Sequence, residues 1–409
     1  MAYRVRPISK GSAPYALDVL VERFRNSPIG ALASISGLDQ RFGEAFDHWA
    51  FVPHPLPDEV MLSARTWALT SEVMLSIGRL DQAGRQLPNP ALVRRPTLRR
   101  EAQSTSALEG TYAPLMEVLE ADPDEVAHRS PELLEVLNYV LAAEHAYAAV
   151  ADRPLTVQLM LEVHQLLVSG TRSDGPDAAR VRSRQVVIGA PSGRVRDARF
   201  VPPPPGPELE AGLRAWVDWV NAPHPAMSPV VAAALGHYQF ETLHPFHDGN
   251  GRIGRLAIVL QLMRSGALRE PLLTLSPWFE VRRRDYQDEL QRVSETGDWD
   301  RWVTFFATGV GEQADETTRM IDGLLGVHDR IRELCRVHHL RGTALAVAED
   351  LIARPMITPT LVQRRYGVSY PAANNAIARL EALGVLREIT GGTYGRLFAA
   401  DDVLRILDC

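Results

Sequence analysis

His244-Pro245-Phe246-His247-Asp248-Gly249-Asn250-Gly251-Arg252-Ile253-Gly254-Arg255 puts a base, a carboxylate, flexible glycines and two guanidinium groups into one short break between helical segments. The apolar pattern reads as a helix from Val230 to Leu243 and again from Arg252 through Leu262, and Pro245, Gly249 and Gly251 interrupt it. Gly249 and Gly251, with Asn250 between them, let the backbone curl so that successive amides point into one concavity at a helix start, an arrangement that binds phosphate. Asp248 can hold Mg²⁺ against phosphate oxygens, because this hard ion takes only one or two ligands from protein. Arg252 and Arg255, three residues apart, share a helical face and reach the same anion. His244 stands where a neutral imidazole can accept a proton from an incoming hydroxyl.

Outward from this loop, helical periodicity dominates. Val60, Ala64, Trp67, Ser71 and Met74 recur at helical spacing. So do Leu133, Leu137, Val140 and Leu141, and Met160, Val163 and Leu167 behind the N-cap Thr156. Between Gln185 and Pro205 the pattern changes: Val186-Val187-Ile188-Gly189, a Pro-Ser-Gly turn, then Phe200-Val201 and four prolines predict a short hairpin, the only strand pair expected before residue 384. A helical stretch from Asp315 to Val337 leads to helices at Ala344–Ala353, Pro359–Tyr366 and Ser369–Leu383. Gly384 stops the last, and Val385–Ile389 and Tyr394–Phe398 flank a Thr-Gly-Gly-Thr turn. Three helices followed by a hairpin predict a winged helix-turn-helix, with a boundary near residue 340.

Composition removes several function classes. In 409 residues, 45% hydrophobic and 23% charged, no apolar run is long enough to span a bilayer. Met1 to Leu20 has no continuous apolar core of a secretory signal, so a cytoplasmic location is expected. Cys335 and Cys409 give neither a disulfide framework nor a zinc knuckle. A net charge of −6 argues against coating nucleic acid by bulk charge. Lys10 is the only lysine and lacks the upstream glycine of a Walker A loop, so phosphates must be held without a P-loop lysine, and Schiff-base chemistry is excluded as well.

The twelve-residue stretch resembles the defining motif of the Fic (filamentation induced by cAMP) family, His-x-Phe-x-Asp/Glu-Gly-Asn-Gly-Arg-x-x-Arg, at every specified position. Leu87-Pro88-Asn89-Pro90 through Arg100-Glu101-Ala102 is similar to the family's N-terminal region, Gln185 to Pro204 to its flap, and Leu275 to Trp302 to the region after the motif. The resemblance implies a mainly α Fic-type bundle with a short β-hairpin flap. With the winged helix, the expected division is 1–120, an N-terminal region with an inhibitory helix; 121–310, catalytic; 311–340, a helical linker; and 341–409, the winged helix-turn-helix. It implies a protein adenylyltransferase, moving AMP from ATP to a Ser, Thr or Tyr hydroxyl of a target protein. His244 would be the base, Asp248 the Mg²⁺ ligand, Gly249, Asn250 and Gly251 the anion hole, and Arg252 a phosphate clamp. Arg255 would orient the γ-phosphate and Phe246 anchor the loop. Val186, Val187, Ile188 and Gly189 would register the target's main chain by strand addition.

Thr105-Ser106-Ala107-Leu108-Glu109-Gly110 is similar to the family's inhibitory motif, Ser/Thr-x-x-x-Glu-Gly/Asn. Paired with Arg255, Glu109 would deny the γ-phosphate its arginine. The plainer alternative is a helix end followed by a stop glycine. At Arg282 the family pattern has asparagine, and Tyr286, four residues on, is the candidate adenosine contact. A zinc hydrolase built on His244, His247 and Asp248 lacks a His-Glu-x-x-His pair and leaves both arginines unexplained. Open alternatives are a de-AMPylase, transfer of another phosphate-containing group, and a DNA-binding regulator reading bases through Asn374, Asn375 and Arg379. Self-modification and a homodimer also stay open, and residues 341–409 could contact DNA or dock protein, since eight arginines against seven acidic residues give no concentrated basic stripe.

Overall fold

Side chains that cap the helices set where they begin. The Leu159 N–H donates to the Thr156 hydroxyl at 3.0 Å, and the predicted helix runs Val157–Val168. The helix expected from Val60 starts instead at Ala64, because the Ser63 hydroxyl accepts from the Thr66 N–H and makes Ser63 the cap. This computed structural model describes residues 17–39, 42–86, 89–121, 130–392 and 395–407, so Lys10, Leu87, Pro88 and Cys409 lie outside the described residues. Among the described residues there are sixteen α-helices, as the mainly α expectation requires, and none is long and apolar enough to cross a membrane.

The chain separates into two compact units, residues 1–74, 141–267 and 281–310 in one and 75–140, 268–280 and 311–409 in the other. The first is built on the helices Pro229–Leu243 and Asn250–Arg264, which flank the motif loop. Both are buried almost all round, which is why neither shows a strong polar face. Their close approach depends on two glycines. A Cβ on Gly236 would lie 2.3 Å from Gln261 Oε1, and one on Gly254 would lie 2.3 Å from Glu241 Oε1. Two buried tryptophans brace the first helix: Trp216 Nε1 donates to the Gly236 carbonyl and Trp302 Nε1 to that of Ala234.

The β structure departs from expectation. A ten-residue pair, Gly30–Asp39 with Glu44–Pro53, forms an antiparallel hairpin that the sequence pattern did not announce. Its first strand, Gly-Ala-Leu-Ala-Ser-Ile-Ser-Gly-Leu-Asp, has a single β-branched residue and two glycines, so propensity is silent there. Partner strand and packing decide it: Ile35 and Ala50 pack on Val195, Ala198 and Val201, and Phe51 sits with Phe24 and Phe200. The predicted 185–205 hairpin, by contrast, is reduced to one bridge, Ile188 opposite Phe200, with a 3₁₀ turn at Val195–Asp197. The strand pair before residue 384 is therefore not the only one.

In the second unit, the helix Ala91–Leu108 ends in a Schellman motif. The Thr111 N–H donates to the Ser106 carbonyl and the Gly110 N–H to that of Ala107, with Gly110 at φ 91°. The predicted 315–337 helix is the end of one continuous helix, Trp299–Val337. Beyond it come the helices Thr343–Asp350, Pro359–Tyr366 and Tyr370–Ala382, close to the expected spans. The hairpin limbs shrink to Arg387–Glu388 and Phe398–Ala399. They form a three-stranded antiparallel sheet with an unanticipated strand, Met356–Ile357, Phe398–Ala399 being central. Thr393 and Tyr394 lie outside the described residues.

Trp302 is fully buried and donates to the helix that precedes the loop. Trp302→Ala is expected to cost about 3–5 kcal/mol in urea unfolding, the range for emptying a large aromatic site.

Candidate active site

The loop is closed by one side chain. Asn250 Oδ1 accepts from the Phe246 N–H at 2.8 Å and Asn250 Nδ2 donates to the Phe246 carbonyl, also at 2.8 Å. This amide pair folds 246–250 into a tight turn and starts the next helix at Asn250, with Gly249 as its cap at φ 79°. Glycine is required at 249 twice over, since a Cβ there would also stand 2.6 Å from Leu167 Cδ2. Helix geometry leaves the first N–H groups, those of Asn250, Gly251 and Arg252, without a carbonyl four residues back, so they form the anion-seeking end.

His244 enters the turn in the left-handed region, φ 48° and ψ 60°, a costly position for a side-chain-bearing residue. Arg182 holds it there. Its guanidinium donates to the His244 carbonyl at 2.8 Å and to Pro203, and its backbone N–H donates to Pro245 at 2.9 Å. Burial lowers the Arg182 pKa to about 9, which leaves the side chain charged at neutral pH. His244 Nδ1 faces the Glu241 carbonyl at 3.3 Å. A carbonyl only accepts, so Nδ1 carries the proton and Nε2 is the basic nitrogen.

Asp248 follows on the same turn. Its Oδ2 accepts from the Ser173 hydroxyl at 2.5 Å, its Oδ1 accepts from the Gly249 N–H at 2.6 Å, and Arg252 Nη2 lies 3.4 Å away. Burial pushes this carboxyl up, but Arg252, Ser173 and the Gly249 amide outweigh it and hold the group below the usual carboxylate range. Among the described residues no group of three or more His, Cys, Asp or Glu converges as a metal site. Arg252 and Arg255 are both buried beside the helix start, at 3% and 2% exposure.

Residues 154–262 match the sequence model of the Fic/DOC family, and residues 67–148 match that of the Fic/DOC N-terminal region. The chain carries a Fic domain. A curated relative, a protein adenylyltransferase Fic of Nematostella vectensis, is 31% identical over 195 residues, 45% of this chain and 39% of its own length. Another, from Drosophila ananassae, is 34% identical over 134 residues, 32% of this chain and 24% of its own. The chain thus spans two-fifths or less of the length of these curated relatives. A solved Fic family protein from Desulfovibrio desulfuricans G20 shares the fold, with a TM-score of 0.53 at 22% identity over 84% of this chain and 98% of the other.

The Fic motif is drawn together as a unit, and other expected residues lie further out. Tyr286 is 4% exposed, and its hydroxyl bonds His237 Nε2 at 2.7 Å. His237 Nδ1 in turn donates to the Gly254 carbonyl at 3.1 Å. Burial first, and then Arg255, lower the His237 pKa to about 3, so this imidazole is neutral and Tyr286 is joined through it to the motif helix. Ile188 and Phe200 exchange backbone bonds at 2.9 and 3.1 Å, and the Arg199 N–H reaches the Gly189 carbonyl. Val187 and Ile188 rest half-buried on the hairpin below, and the Val186 carbonyl accepts from Gln185. Glu109 is the exposed C-cap of its helix in the second unit.

Sequence reasoning missed Ser173, Arg182 and His164. Arg182 is one of three alternating arginines, 180, 182 and 184, and nothing in the pattern selects it. His164 stacks on Phe246 with ring centroids 4.3 Å apart and accepts from the Ala179 N–H. Burial lowers its pKa to about 4. A histidine depressed in the folded state contributes stability that is complete above the ordinary value near 6.5 and is lost as pH falls toward 4. His164→Phe keeps the stack but takes no proton, so its unfolding free energy should fall between pH 7 and pH 4.5 by about 2 kcal/mol less than wild type, as read by urea titration.

Proposed function

We propose that this Fic domain is a protein adenylyltransferase, transferring AMP from ATP to a Ser, Thr or Tyr hydroxyl of a target protein. The observation that carries it is the Asn250–Phe246 clasp, which sets a helix N-terminus and the basic nitrogen of His244 at the two ends of one turn. The names of the curated relatives favour AMP over other phosphate-containing groups.

The amides of Gly249, Asn250 and Gly251 and the guanidinium groups of Arg252 and Arg255 would grip the phosphates. Of these amides, that of Gly249 is held by Asp248 and would turn to the ligand only by leaving it. The target hydroxyl attacks the α-phosphorus in line. The bond from that phosphorus to the bridging oxygen breaks, pyrophosphate leaves, and His244 Nε2 takes the hydroxyl proton. Asp248 fits Mg²⁺, being a single carboxylate kept ionised whose Oδ2 meets Ser173 alone, while Oδ1 is shared between the Gly249 amide and Arg252. The ion would neutralise phosphate charge. Tyr286 offers a nucleoside only the small part of its surface left exposed, and its main part here is to support the motif helix through His237. The segment Val186–Gly189 would take the target's backbone as an added strand.

Glu109 would act as the inhibitory residue. The Schellman motif explains Gly110, but it makes no demand on the side chain at 109. Glu109→Gly is therefore expected to raise transfer of label from ATP to protein, self-modification included. An added AMP mass on the product separates this reaction from removal of AMP or transfer of another group. Equal labelling of wild type and variant would overturn the inhibitory role.

In the Glu109→Gly background, His244→Ala should lower AMP transfer by about 100-fold or more while ATP affinity stays unchanged, as compared by labelled transfer and calorimetry.

A further inference from the structure

The order helix, strand, helix, helix, strand, strand over residues 343–399, with its three-stranded sheet, leaves the helix Tyr370–Ala382 with one face outward. Ala373, Ala376, Ile377 and Leu380 fill the core below it. The outward stripe is Pro371, Asn375, Ala378, Arg379 and Ala382, all exposed. The stripe itself carries no carboxylate, Glu381 being exposed on the flank of the same helix, and its alanines leave room for close approach, with Asn375 and Arg379 one turn apart.

The small net charge of this segment conceals where its charges lie. Asp350 is bonded by Arg365 at 2.6 Å, Asp401 by Arg387 at 2.6 Å and Asp402 by Arg405 at 2.5 Å. All three carboxylates are thus neutralised on helices other than Tyr370–Ala382. Arg379 makes no ion pair among the described residues. Arg396, just before the strand Phe398–Ala399, reaches across to Asn374 Oδ1 at 2.8 Å and lies 3.7 Å from Glu388, which sets a second, partly compensated guanidinium beside the stripe. Among the described residues of 341–407, the large exposed apolar side chains, the anchors a protein partner would need, are Tyr370 and Ile389.

We propose that residues 343–399 form a winged helix that binds duplex DNA, with the helix Tyr370–Ala382 in the major groove and Arg396 against the backbone. Asn375 and Arg379 have the side chains that pair bidentately with adenine and guanine edges, and Ser369 and Tyr370 at the helix start suit phosphate contact. A Fic domain would then act where this segment is bound, independently of whether its own reaction is AMP transfer.

The test uses the full chain and a labelled pool of random duplex DNA, read by fluorescence anisotropy. Saturable binding is expected at about 50 mM salt and should weaken by about tenfold or more at about 200 mM. Arg379→Ala should lose about tenfold in affinity. Asn375→Ala should bind the pool but enrich different sequences from it. Both exposed variants should keep the wild-type melting temperature and the wild-type level of ATP-dependent labelling. No anisotropy change at the lower salt overturns the proposal and leaves the stripe to a protein partner. Wild-type binding by the Arg379→Ala, Asn375→Ala double variant overturns the assignment of this face.

Discussion

The clasp between the Asn250 side chain and the Phe246 peptide is the constraint on which the site depends. An amide side chain offers one acceptor and one donor, and both are used on the same residue four positions back. Without it the loop would have to satisfy a buried N–H and C=O elsewhere, at a few kcal/mol for each group left unpaired. With it, the chain reverses in a handful of residues, the next helix begins at a defined point, and Phe246 is pinned inward at full burial. Aspartate at 250 would supply the acceptor but not the donor.

Around that clasp the protein spends charge sparingly. Two buried histidines, 164 and 237, are held neutral by desolvation, and each serves as a shaped hydrogen-bonding plate: one stacks on Phe246, the other links Tyr286 to the Gly254 carbonyl. One buried cation, Arg182, stays charged because it sits among carbonyls of His244, Pro203 and Arg184, which solvate a guanidinium without neutralising it. The loop is therefore fixed by a positive group that competes with no phosphate for a carboxylate. Ser173 does the corresponding service on the anionic side, orienting Asp248 while leaving its charge intact.

The legible part of this fold was the part in which each residue has its own chemical necessity. At 244–255 the spacing of His, Asp, Gly, Asn and Arg restricts the backbone so tightly that turn and helix start could be read together. The Thr156 cap was legible for the same local reason, accepting from an N–H three residues on, and Thr358 and Ser369 cap their helices in the same way. The Gly30–Pro53 hairpin was not, because its strands are stabilised by contacts with residues about 150 positions away and their own composition is weakly β-forming. Conversely, Val186-Val187-Ile188 has strong strand composition but ends as a single bridge, since Gln185 and the half-buried packing of Val187 and Ile188 occupy groups that a longer ladder would use. Ser173 and Arg182 escaped because a serine in a polar loop and one arginine among three carry no periodic signal.

In a sequence whose single lysine stands far along the chain from the motif, the proposed grip on phosphate falls to amides and guanidinium groups. Neither loses its character across the working range of pH: an amide does not titrate, and a guanidinium is the most basic of the side chains. Asp248, held below the usual carboxylate range, is likewise already ionised in weak acid. The grip on the anion therefore stays constant while the imidazole of His244 changes state, so the acid limb of the rate profile should report that one nitrogen. A P-loop-like lysine in the same place, desolvated beside a phosphate, would have added a second titration and blurred it. Separating the residues that bind from the residue that titrates is the chemical consequence of a clasped helix start standing beside a left-handed histidine.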